Sequence, residues 1–209
     1  MRKPVQYIIF LVLIAFVAYN SVYFKKLDEV KAGTTSFNAS KYASTFLDKK
    51  LLPSSSKAIE IGELLSKLQL EKDKTFDTYS HALGIGNVKY FLIKGHGTVQ
   101  SVDENEVLLK VDSDFTKPGI RIATEYIFGN AVRDASGTID INEFSNSMDF
   151  NNVSAEINKI IREKVIPAFK SKVKKGDTVE FTGAIELNKE HLSLKNPEVI
   201  PISLGIKAQ

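Results

Sequence analysis

Side chains that could take part in chemistry gather in one stretch, residues 129–150, where charged and amide groups stand between apolar ones. It holds Gly129-Asn-Ala-Val-Arg-Asp-Ala135, a Ser-Gly-Thr turn, Asp140-Ile-Asn-Glu-Phe144 and Asn146. Arg133 offers a planar fork of donors that suits a carboxylate or sugar hydroxyls. Neighbours on a strand point to opposite faces, so Arg133 and Asp134 should not pair and each needs a partner of its own. Two readings follow. In one, Arg133, Asp134 and Asn146 line a ligand or partner site. In the other, Arg133 donates to backbone carbonyls inside the fold while Asp134 caps the next turn. Gly137, Ile139, Asp140 and Glu143 also fall at loop positions six, eight, nine and twelve of a calcium loop. Its first position would be Val132, which has no side-chain oxygen, so a turn followed by a strand is expected there and no metal.

The remaining candidates are weaker. His81, His96 and His191 are isolated, with no Ser/His/Asp spacing and no paired histidines. Gly84-Ile-Gly86 and Gly95-His-Gly97 lack the third glycine of a phosphate or dinucleotide loop. Asp112-Ser-Asp114 reads as a solvated acidic turn. The sequence has no cysteine, which excludes thiolate catalysis, cysteine metal sites and disulfides. A non-enzymatic protein without cofactor is therefore the first expectation. The rival is an envelope enzyme acting on carbohydrate through paired carboxylates. It needs two acids roughly 5–9.5 Å apart across one cleft, and Asp134 and Asp140 are the nearest pair. A purely structural envelope protein, with no concave polar site, is the third.

The elements that must position these residues begin with an apolar segment. Arg2 and Lys3 precede an uncharged run over residues 4–24, closed by Lys25 and Lys26. About 20 residues of helix span a bilayer core, so the run suffices for a transmembrane signal anchor over residues 1–26, with Tyr19, Tyr23 and Phe24 at the interface. A cleaved signal peptide is the alternative. Cleavage wants a small residue three positions before the cut, and cuts after Ala18 or Ser21 would put Phe16 or Tyr19 there. The positive-inside rule then places the body outside the cytoplasm, periplasmic or extracytoplasmic. The 28 basic and 25 acidic residues, net charge +3, are spread along the chain without the basic stripe of a nucleic-acid protein.

After a linker over residues 27–36, a helical cap is expected over residues 37–83. Its first helix, residues 37–53, is capped by Asn38 and ended by Pro53. The second turns Ala58, Ile61, Leu64, Leu65 and Leu68 to one side, and a weaker third over residues 69–80 is anchored by Phe76 and Tyr79. Residues 84–209 form the β-rich part. A long strand with Gly95 and Gly97 at a bend or bulge turns at residues 103–105 into a second, and a third runs from Gly119 to Ile127. Residues 178–187 and 192–194 make a final hairpin. Pro197 and Pro201 restrict residues 198–206 to an edge strand. An amphipathic helix, residues 153–173 with Val153, Ile157, Ile161 and Phe169 on one face, lies between the two β segments, kinked by Pro167. The fold class is α+β: a small OB-like antiparallel barrel with an inserted helix, or a flat α+β sandwich with the same order of elements.

Four runs carry a family resemblance over nearly the whole exported body. They are Phe37-Asn-Ala with Tyr42 and Lys50-Leu-Leu-Pro53; Tyr90-Phe-Leu-Ile-Lys-Gly-His-Gly97; Gly129 to Ala135 with Ile139, Phe144 and Asn146; and Val179-Glu-Phe-Thr-Gly-Ala184. In these the chain resembles a bacterial family of unknown function described as predicted periplasmic lipoproteins, whose genes often lie beside carbohydrate uptake systems of the ATP-binding-cassette type. The resemblance implies an accessory role, with sugar transporter components or a saccharide as partner. Two departures matter. No cysteine is present to carry a lipid, so the apolar segment must serve as anchor, and the acidic turn is reduced to Asp112-Ser-Asp114. The family brings no established catalytic residues.

Overall fold

Strand β3 (Val88–Val102) is fifteen residues long, enough to pair with four other strands in turn. β1 (Ile59–Glu60) lies parallel to it at Ile93 and Lys94, and β2 (Ser80–His81) antiparallel at Tyr90 and Phe91. β4 (Glu106–Lys110) folds back from residues 103–105, and β6 (Thr178–Asn188) pairs along it from Val88 to Thr98. With β5 (Ile120–Ala123) and β7 (Glu198–Lys207), the order β3-β4-β5-β7-β6 returns to β3. A sheet whose last strand pairs with its first has no edge. The barrel alternative therefore holds over the flat sandwich: the β part is a closed five-strand barrel of the OB type. The slip in register falls between Val99 and Ser101, not at the glycines. Gly95 and Gly97 serve close approach instead. A Cβ would meet Ile61 Cγ2 at 2.8 Å from Gly95 and the Lys110 carbonyl oxygen at 2.7 Å from Gly97.

A computed structural model describes residues 3–21, 37–111 and 119–207. The expected linker, the acidic turn Asp112-Ser-Asp114 and the aromatic residues Tyr23 and Phe24 lie outside them. Contacts divide the chain into Met1–Phe37 and Asn38–Gln209. In the first unit α1 (Lys3–Ser21) turns apolar side chains from Tyr7 to Val17 outward. The expected membrane span is not found there: among the described residues no helix is long and apolar enough to cross a membrane. The helix carries Lys3 and Gln6 at one end and Asn20 at the other, leaving an apolar middle of about 20 Å at 1.5 Å per residue, short of a core about 30 Å thick.

In the second unit, Asn38 caps α2 (Ala39–Phe46) by accepting from Lys41 N–H at 2.8 Å. Pro53 does not end this helix. A wide π turn, Leu47–Leu51, carries it into Leu52–Ser54 and then a 3-10 turn, Ser55–Lys57. The second expected helix is α3 (Ile61–Leu70), burying Ile61, Leu64, Leu65 and Leu68. α4 (Lys72–Tyr79) sets Phe76 edge-on to Phe91, ring centroids 5.2 Å apart. These side chains belong to the same apolar cluster as Ile93, Val107, Leu109, Phe181 and Val199 of the barrel.

The inserted helix starts earlier than its apolar pattern suggests. α6 (Ser147–Ile160) is capped by Asn146, and a second π turn, Ile161–Val165, leads into α7 (Ile166–Lys170). Both π turns stand just before a proline. A proline ring collides with the carbonyl four residues back in a regular helix, and one extra residue in the turn moves that carbonyl away. It also shifts the face: Val153, Ile157 and Ile161 are buried at fourfold spacing, then Ile166, and Val165 is only half-buried.

Two other strand expectations fail. Residues 192–194 are not a strand, and the return partner of β6 is β7. The edge-strand expectation for residues 198–206 fails at their start: β7 pairs with β6 along its length and, at Glu198 and Val199 alone, parallel to β5 on the other side. Pro201, opposite Gly183, sits where the register shifts between Thr182 and Gly183, the kind of irregularity at which a strand tolerates proline.

Candidate functional site

The stretch over residues 129–150 contains no strand. It forms a short helix, α5 (Ala131–Ala135), and a 3-10 turn, Ile141–Glu143. This reverses the expectation for Arg133 and Asp134. Adjacent residues on a helix lie about 100° apart around the axis instead of 180°, and a long arginine stem closes that gap. Arg133 Nε donates to Asp134 Oδ1 at 2.6 Å and Nη2 to Oδ2 at 3.0 Å, a two-point pair with 3% and 4% exposure. Nη1 donates to the Phe150 carbonyl at 3.3 Å, and the guanidinium lies 3.5 Å from the Phe150 ring centroid. The backbone bond expected of Arg133 is thus present, but Asp134 pairs with it instead of capping a turn. The buried amide and hydroxyl of α6 finish the closure: Asn158 donates to the Gly129 carbonyl at 2.9 Å and Ser154 to Asn130 Oδ1 at 3.1 Å.

Asn146 stands apart from this pair. It is exposed, accepts from Asp149 N–H at 2.8 Å and donates to Asp149 Oδ2 at 2.8 Å, the work of an N-cap. Asp140 likewise accepts from Asn142 N–H at 2.8 Å. The carboxylate pair Asp134 and Asp140 does not form a cleft, since both Asp134 oxygens are held by Arg133 and the carboxylate is buried. Glu143 is better connected. It accepts from the Tyr42 hydroxyl at 2.6 Å and Lys50 Nζ at 3.0 Å. The Tyr42 bond, followed by that of Lys50, holds the Glu143 carboxyl below its ordinary value; burial, with Glu143 second, raises the Tyr42 hydroxyl. Tyr42, Phe144 and Phe150 meet edge to face at 5.0 and 5.1 Å, so this aromatic chain ties α2 to the Arg133 pair.

Open polar side chains converge elsewhere, on the outer wall of the barrel. A groove of about 480 Å³ runs over β3, β6 and β7. Strand register builds it in rows. Glu60 is paired with Lys94, Lys94 with Thr182 and Thr182 with Ser203, one polar row across four strands. The next row is His96, Glu180 and Gly205. Alternation sends these side chains outward while Ile93, Val179 and Phe181 face the core. Glu60 Oε1 lies 4.0 Å from His96 Nδ1, and Lys207 Nζ meets Glu180 Oε1 at 2.6 Å. Among the described residues no group of three or more histidines and carboxylates could hold a metal ion. The arrangement can grip a ligand rich in hydroxyls, with carboxylates accepting, lysine donating, and serine and threonine doing both. In sequence these residues are scattered over four strands. Their one local signal is Gly95-His-Gly97, which makes no phosphate loop.

A closed five-strand barrel with packed helices places the chain among the OB-type folds. The chain belongs to the family of predicted periplasmic lipoproteins (DUF2291), whose profile matches residues 12–205. It is similar to the crystal structure of an OB-fold protein from Thermotoga maritima at 25% identity and a TM-score of 0.75, over 83% of this chain and 100% of that one. No protein of curated function matches the chain.

Proposed function

We propose that the protein is a non-catalytic binding module of the cell envelope, held at the membrane by its N-terminal apolar segment, that uses the β3–β6–β7 groove to bind a saccharide for a sugar uptake system. The observation that carries this reading is the ordered polar row Glu60, Lys94, Thr182, Ser203 beside His96 and Glu180. It is concave and rich in both donors and acceptors. Family membership supports the periplasmic setting. The exposed apolar side chains of α1 support attachment. Arg133 and Asp134, closed on each other in the interior, brace the fold instead of meeting the ligand.

The test is thermal stabilisation of the full chain by a panel of mono- and disaccharides, beside E180Q and H96A variants. Stabilisation by one sugar class, lost in both variants while their melting without sugar is unchanged, is the expected result. No stabilisation by any saccharide would remove the ligand reading. Crosslinking from native membranes then asks whether transporter subunits are captured. A second reading rests on Glu60 and Glu180 facing one groove: hydrolysis of a glycosidic bond by two carboxylates. Release of reducing ends that E180Q abolishes would favour it.

A further inference from the structure

Beside the polar groove a second cleft of about 510 Å³ opens between β7 and the helix carrying Pro167, and the two share Ser203 and Leu204. Its character is different. Val165, Phe169, Leu204 and Ile206 form an apolar floor, with Leu52, 43% exposed, at one side. Lys164, in the π turn, and Lys172, in the turn that follows α7, stand at the rim on either side of that helix. Most nearby cations are occupied. Lys170 donates to the Glu104 carbonyl at 2.6 Å, Arg162 donates to the Ile127 carbonyl, and Lys50 and Lys207 are paired with carboxylates. Among the described residues Lys164 and Lys172 make neither an ion pair nor a side-chain hydrogen bond.

We infer that this cleft seats an acyl chain of an anionic membrane phospholipid, its headgroup held between Lys164 and Lys172. The inference rests on the membrane-held reading above. An apolar trough with two unpaired cations at its mouth is complementary to an amphiphile with one charged end. Along the cleft β7 is hydrogen-bonded to β6 alone, its pairing with β5 being confined to Glu198 and Val199. What favours the amphiphile over an extended peptide is the pair of lysines at the mouth, which a strand added to that edge would not need. The lysines supply the preference for negative headgroups, and Phe169 with Leu204 and Ile206 supplies the apolar contact.

The experiment uses the full chain in nanodiscs of phosphatidylglycerol or of phosphatidylcholine, each doped with the same lipid bearing a diazirine on its acyl chain. Crosslinked peptides are mapped by mass spectrometry. In phosphatidylglycerol, label is expected on residues 164–172 and 202–206 as well as on the N-terminal segment. Neutralising either lysine, K164Q or K172Q, should lower the groove label about fivefold, the worth of one lysine near an anionic surface. A168W, which fills the cleft without touching charge, should remove it. Equal groove labelling in both lipids, or labelling unchanged in the glutamine variants, overturns the headgroup assignment. Label confined to the N-terminal segment overturns the cleft and leaves the anchor standing, whereas no label anywhere shows that the membrane-held reading itself is wrong.

Discussion

Cutting the Arg133–Asp134 pair on one side should cost far more than removing both partners. With 3% and 4% exposure, neither charge reaches water, so each depends on the other for its solvation. D134A leaves a guanidinium buried with one carbonyl partner, Phe150 at 3.3 Å, and removal of one member of a buried pair costs about 3–5 kcal/mol. R133A strands the carboxylate and also loses the cation stacked at 3.5 Å on Phe150, which adds about 1–2 kcal/mol. R133M/D134L keeps volume and removes both charges, and should stay within about 2 kcal/mol of the native chain. The assay is urea unfolding in mild detergent, followed by circular dichroism. At a slope of about 2 kcal/mol per molar, D134A should lower the midpoint by roughly 2 M and the double variant by under about 1 M. That sign of coupling is what a double-mutant cycle isolates. A loss below about 1 kcal/mol in D134A, or a double variant as damaged as the sum of the singles, would refute the account.

The Tyr42–Glu143–Lys50 cluster makes stability depend on pH at both ends. Glu143 titrates below its ordinary value in the fold, so its contribution is full above about pH 4.5 and is lost as the pH falls through the lowered value; E143Q should flatten that acid limb. Tyr42 titrates above its ordinary 10.0, so its contribution is full below that pH and lost as the pH rises beyond it; Y42F should remove that alkaline loss, at a cost near neutrality of about 1 kcal/mol in melting experiments. Gly137 has φ +63° and sits under His81, whose Nδ1 would lie 2.4 Å from an added Cβ. G137A should therefore cost about 2–3 kcal/mol by thermal melting, and adding H81A should recover the steric part but not the roughly 1 kcal/mol of backbone strain.

What could be read from the sequence depended on how local its cause is. The cap at Asn38, the apolar face of Ile61, Leu64, Leu65 and Leu68, and the hairpin at residues 103–105 rest on neighbours within a turn, and all three are found. The choice between barrel and sandwich rested on β3 meeting β6 some ninety residues later, which no local pattern states. Pro53 and Pro201 misled for a physical reason. Pro53 and Pro167 break a regular helix, but a π turn absorbs each, and Pro201 sits at a register shift inside a barrel strand. Arg133 and Asp134 stand out in the sequence but their geometry does not, because a five-residue helix carries too little periodicity to be told from a strand.

That change of geometry decides where function can reside. A planar fork of donors on an open strand is a ligand grip; the same fork closed on its neighbour and covered by Phe150 is a plug. α5 then serves to hold α6 against β3 and β6, and Tyr42, Phe144 and Phe150 extend that bracing to α2. Side chains that strand alternation turns outward on β3, β6 and β7, and those on the exposed flank of α7, are by contrast open to another molecule. Both grooves meet at Ser203 and Leu204, so a ligand in either one bears on the same two residues of β7. Thermodynamic reciprocity then requires that any effect of an anionic lipid on saccharide affinity be matched by an equal effect of the saccharide on lipid affinity. Titrating each in the presence of the other measures that coupling, and a factor of one in either direction would show that the two grooves work independently.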